Sequence, residues 1–100
     1  MDFKGIKYEF VAKPWQYTGQ GAWIFVSLPS DLAKEIRHHF KSEEEGWGRL
    51  KVTAQLGKTE WKTAIWFDKK ADTYLLPLKS DIRKKENIIA NNPVKVSLWI

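Results

Sequence analysis

Residues 74–86 read YLLPLKSDIRKKE: an apolar strand, a Leu-Pro step, then Ser-Asp opening a short basic helix. The same order occurs in residues 25–37, FVSLPSDLAKEIR, where Pro29 holds the place of Pro77. RLKVTAQL (49–56) resembles PVKVSLWI (93–100), with Val52 in the place of Val96. Two copies of a strand–strand–helix–strand unit, about residues 1–48 and 49–100, follow from this self-similarity. The expectation is one mainly β domain over residues 1–100, two halves closing a single barrel about a pseudo-twofold axis, with two short helices as caps.

Periodicity supplies the elements. IKYEFVAK alternates, with Ile6, Tyr8, Phe10 and Ala12 on the core side, and Pro14 interrupts it. Gly19–Gln20–Gly21 marks a turn, and AWIFVSL, apolar on both faces, reads as a strand central to the core. Ser30 is the cap candidate of a helix whose stripe is Leu32, Ile36 and Phe40. In RLKVTAQL the inward residues are Leu50, Val52, Ala54 and Leu56, and Gly57–Lys58 turns the chain into TEWKTAIWF. TYLLPL is a strand ended by Pro77. Ser80 caps the second helix, and Asn87 is its left-handed C-terminal residue. Val94, Val96, Leu98 and Ile100 share the inner face of the last strand.

Composition narrows the classes. The 100 residues contain no Cys, which excludes disulfides and thiol chemistry. The opening MDFKGIKYEFVAKPW carries charges every few positions, unlike a signal peptide. The longest apolar run, Ala22 to Val26, is far below the roughly 20 residues of a membrane span. A soluble, cytoplasmic protein is expected. Residues 1–48 hold six Lys/Arg against seven Asp/Glu, and residues 49–100 hold eleven against five. A neutral first half and a basic second half point to an acidic partner, nucleic acid or an acidic protein surface.

Two resemblances bear on the fold. Leu76-Pro77, then Ile82, Arg83, Lys84, Lys85, Asn87 and Ile88, then Val94-Lys95-Val96, resemble the AbrB/MazE-like swapped-hairpin pattern. Asn87 stands where that pattern has Gly, Asn91-Asn92-Pro93 replaces its Gly-Asp turn, and two extra residues follow the Pro. Over nearly the full length, YEFVAKPW, GAWIFVSLP, the hairpin around Gly57 and YLLPLKSDIRKK resemble domain-of-unknown-function family 1905, small bacterial β-barrel proteins. That resemblance implies a double-split barrel capped by short helices, and carries no activity.

Three groups of residues are candidates for function. Lys79, Arg83, Lys84, Lys85 and Lys95 form a polyanion site if the last strand packs beside the basic helix. Consecutive helix residues spread over about 200° of arc, so the alternative is a solvated helix with cations near its C-terminus. Arg49, Lys51 and Lys62 alternate along the middle hairpin near Trp66, a mixture suited to single-stranded nucleic acid, where bases stack on rings. Lysines on a strand also discourage edge-to-edge aggregation. The first helix carries Glu35, with Glu43–Glu45 just beyond, so a symmetric DNA reader is disfavoured against RNA or an acidic protein. The third group, Trp15, Tyr17, Trp23 and Trp61, lines a small-molecule pocket in the alternative reading. His38 and His39 diverge as helical neighbours and do not chelate one ion. A non-catalytic binding module is expected, without metal, cofactor or catalytic residues, and as a monomer, an obligate dimer being the alternative.

Overall fold

A computed structural model describes residues 5–19, 21 and 23–100. The elements run β1 (Lys7–Ala12), β2 (Trp15–Gln16), β3 (Ile24–Ser27), α1 (Ser30–Phe40), a 3₁₀ turn (Lys41–Glu43), β4 (Arg49–Leu56), β5 (Thr59–Asp68), β6 (Thr73–Leu78), α2 (Ser80–Lys85) and β7 (Val94–Trp99). The strands form one antiparallel sheet in the order β1-β7-β4-β5-β6-β3-β2. Its two outermost strands, β1 and β2, are linked only by Lys13 and Pro14. Edges tethered that closely force the sheet to curl, and the result is a half-barrel with two short helices.

The inner face follows the period of two. Tyr8 and Phe10 from β1, Leu50, Val52, Ala54 and Leu56 from β4, and Val96 and Leu98 from β7 are buried in one cluster. Ala33, Ile36 and Phe40 of α1 close over it, and Phe40 meets Tyr8 edge to face at 6.5 Å. Ile82 of α2 joins from the other helix.

Several expectations are corrected. Ile6 lies before β1 and is exposed, so the alternation starts one step later. The strand in AWIFVSL is not buried on both faces: Ile24 and Val26 point inward, whereas Trp23 is half exposed and Phe25 half buried. Gln20 of the predicted turn and Ala22 at the start of that stretch lie outside the described residues. Ser30 and Ser80 are the first helical residues rather than caps, Pro29 and Lys79 taking the cap positions without a side-chain hydrogen bond. Pro77 stays within β6, opposite Phe25. Leu28 N–H donates to Tyr74 C=O, and alternation from that pair leaves the Pro77 position without a hydrogen bond to β3. On the other side β5 pairs with β6 only as far as Leu75, so the missing N–H breaks no ladder there. Asn87 does adopt a left-handed conformation at φ +52°.

Candidate functional site

The outer face of β3, β6, β5 and β4 carries the chemistry. Outward side chains on β4 alternate as Arg49, Lys51 and Thr53, and their partners across the ladder on β5 are Trp66, Ala64 and Lys62. Leu75 of β6 pairs with Trp66, and Pro77 with Phe25 of β3. These residues frame a hollow of about 530 Å³ lined by Trp23, Phe25, Trp66, Leu75 and Pro77, with Arg49 and Lys79 also on its wall. A cationic depression of about 340 Å³ shares Arg49 and Thr63 with it and adds Lys51 and Lys62. Trp23 and Trp66 are 50% and 41% exposed, so both rings are open to a ligand.

The rings are braced from beneath. Phe25 is the hub: Trp23 stacks on it at 6.1 Å, Trp15 tilts against it at 5.3 Å, and Tyr17 meets it edge-on at 6.3 Å. Trp15 Nε1 donates to Ser27 Oγ at 2.8 Å, which anchors the cluster to β3. Arg49 lies 5.7 Å from the Trp66 ring and donates to Glu45 at 2.6 Å. Lys51 reaches the same carboxylate at 3.7 Å. Glu45 therefore moderates the positive charge at one end, whereas Lys62 and Lys79 are exposed and stand apart from that ion-pair cluster.

The predicted residues separate into distinct places. Arg49, Lys51, Lys62 and Lys79 adjoin the aromatic hollow together with Trp23, so part of the cation set and part of the ring set meet on one face. Trp15 and Tyr17 support that face through Phe25. Trp61 belongs to the other side of β5, packs against the core, and its buried Nε1 has no acceptor among the described residues. Lys95 pairs with Glu9 at 3.4 Å on the β1–β7 face, where Glu9 also meets Lys7 at 3.7 Å. Those cations hold the exposed Glu9 carboxyl below its ordinary range, the Lys95 hydrogen bond leading. On α2, Arg83 Nε donates to Leu78 C=O at 3.1 Å, while Lys84 and Lys85 are exposed. Phe25, Leu75 and Pro77 escaped the sequence reading because strand alternation does not reveal which outward apolar residues become neighbours on adjacent strands.

Among the described residues no helix is long and apolar enough to cross a membrane. No group of three His, Cys, Asp or Glu side chains among them is placed to hold a metal ion. No curated protein matches the chain. Residues 10–98, nearly the whole outer face and core just described, match the family model described as Domain of unknown function (DUF1905), and the chain belongs to that family.

Proposed function

We propose that this chain is a non-catalytic binding module for single-stranded nucleic acid, and that the β3–β6–β5–β4 outer face is its platform. The observation that carries the reading is the pairing of two open indoles, Trp23 and Trp66, with Arg49, Lys51, Lys62 and Lys79 around adjoining hollows. A base stacked on an aromatic ring contributes about 1–3 kcal/mol, and cations alongside take the phosphates. A duplex would present neither free base faces nor a fit to so short a platform. The second reading, a small aromatic ligand in the 530 Å³ hollow, draws on its apolar wall and its size within the usual range for ligand sites.

Fluorescence anisotropy of a labelled oligo-uridine, read between about 50 and 200 mM salt, tests the first reading. Binding should weaken steeply with salt, and Trp66→Ala should lower affinity roughly tenfold, in line with one lost stack. The triple variant Lys51→Gln, Lys62→Gln, Lys79→Gln should flatten the salt slope. No anisotropy change at low salt removes the nucleic-acid reading, and quenching of tryptophan fluorescence by uridine monophosphate alone supports the pocket.

We infer also that the barrel is internally duplicated, as in swapped-hairpin barrels. Two ladder registers support this independently. The repeat that lays Val96 on Val52 also lays Leu98 on Ala54. It then carries Tyr8, the ladder partner of Leu98, onto Trp61, the partner of Ala54. The repeat that lays Pro29 on Pro77 also lays Phe25 on Thr73. It carries Trp15, the partner of Phe25, onto Asp68, the partner of Thr73. Tyr8 to Trp61 and Trp15 to Asp68 are the same displacement along the chain, although the two repeats lie in different stretches. A pseudo-twofold axis would then pass through the pairs Ser27–Leu75 and Ala54–Leu98.

A further inference from the structure

A second cavity, of about 380 Å³, lies on the opposite side of the β5 end from the platform, lined by Arg37, Glu44, Trp47, Phe67 and Lys69 and by the two glycines that flank Trp47. We propose that it receives a carboxylate carried on a flat apolar body, with Arg37 and Lys69 taking the charge and Trp47 covering the body.

Arg37 is held for such a role. Its guanidinium carbon sits 3.6 Å from the Phe67 ring centroid, a stack that fixes the plane of the fork. Its NH1 is buried and has no acceptor among the described residues. The carboxylate lining the same cavity, Glu44, already accepts the hydroxyl proton of Tyr74. An incoming carboxylate seated against the guanidinium supplies the missing acceptor, and the planar fork matches its two oxygens.

The lining charges choose between anions. Arg37 and Lys69 outweigh Glu44 by one positive charge. A monoanion is thus neutralised, whereas a phosphate dianion is left in surplus and faces Glu44. The size lies in the range of small-ligand cavities, about 300–1,000 Å³.

Trp47 supplies the apolar cover. It is 91% exposed at the tip of a loop that is tied at both ends. Glu45 and Arg49 exchange backbone hydrogen bonds at 2.6 and 2.8 Å, and Phe67 N–H donates to Gly48 C=O at 3.0 Å. Gly46 and Gly48 adopt φ of +49° and +80°, which lets the chain reverse tightly around Trp47. A large ring presented on a pinned loop beside a cationic cavity is placed to close on a bound partner, the use Trp has at binding hot spots.

The test is an amide-resonance titration of the ¹⁵N-labelled full chain with benzoate, benzyl alcohol and phenyl phosphate. Benzoate should shift Gly46, Trp47, Gly48 and Phe67 saturably, with the platform residues Trp23 and Trp66 unmoved. Benzyl alcohol and phenyl phosphate should bind at least tenfold more weakly, Arg37→Met should abolish the benzoate shifts, and the exposed-site variant Lys69→Gln should weaken them severalfold. A peptide ending in Phe with a free C-terminal carboxylate separates the sources. Saturation tighter than benzoate assigns the site to a polypeptide end, and equal or weaker saturation assigns it to a free acid. Equal binding of benzyl alcohol, no benzoate shift, or unchanged shifts in Lys69→Gln overturns the proposal.

Discussion

The phenol of Tyr74, wholly buried in β6, hydrogen-bonds the carboxylate of Glu44 on the loop that follows α1. That contact ties the loop carrying Trp47 to the barrel core. Burial first, and the Glu44 carboxylate second, push the Tyr74 pKa above its ordinary value. A raised folded-state pKa contributes stability that is fully present below the unfolded value, near 10, and is lost as pH rises through the folded value. The urea midpoint should therefore fall as pH climbs beyond about 10. Tyr74→Phe should lose about 1.5–3 kcal/mol at neutral pH, the worth of a hydrogen bond to a charged group. The variant should also show a shallower alkaline slope. Some slope should persist through Tyr8, whose pKa is raised by burial and by Glu35.

The two loop glycines should differ. At Gly48, φ is +80° and an added Cβ would lie 3.0 Å from Phe67 Cβ, whereas at Gly46 it would meet nothing within 4 Å. Gly48→Ala should destabilise by about 2 kcal/mol and Gly46→Ala by about 1 kcal/mol, the left-handed backbone accounting for the shared part. Chemical denaturation of both variants gives the order, and a larger loss at Gly46 would count against the close approach to Phe67.

Leu98 is fully buried at the β4–β7 seam, and Val11 on the outer face of β1 is 63% exposed. Leu98→Ala should remove about 3 kcal/mol, transfer and cavity together. Val11→Ala should change stability by no more than about 0.5 kcal/mol. Thermal and urea unfolding measured side by side check the contrast.

Glu9 should titrate below the ordinary carboxylate range when its side-chain resonance is followed against pH, because Lys95, and then Lys7, stabilise its anion. Its contribution is present at neutral pH and lost as pH falls through the lowered value. Lys95→Gln should move the midpoint up, and so should added salt, since the pair is exposed.

A circular permutant tests the inferred duplication. Ile6 and Ile100 exchange backbone hydrogen bonds at 2.9 and 3.0 Å, the place that Thr59 and Leu56 hold in the other half, where Gly57–Lys58 makes the turn. A chain opened between Gly57 and Lys58, with Ile100 joined to Ile6 by a Gly-Lys turn, should fold with a stability within about 1 kcal/mol of the parent, since the inferred axis makes the two turns equivalent. Failure to fold, with the same joint tolerated elsewhere, would sink the axis.

The inner face was legible in the sequence because a strand's side chains alternate with period two. Leu50, Val52, Ala54 and Leu56 could face one way only, and so could Val96 and Leu98. The left-handed Asn87 was legible for a similarly local reason, a short polar residue closing a helix. Pairing across the sheet was not legible, since hydrogen bonding between distant strands leaves no trace in either strand's own composition. Only the fold set Trp66 opposite Arg49 and Pro77 opposite Phe25, and sent Trp61 inward and Lys95 to Glu9. Arg37, Glu44 and Trp47 likewise belong to no spacing pattern. They meet Phe67 and Lys69 because α1, its following loop and the end of β5 converge, and that convergence is a property of packing rather than of order along the chain.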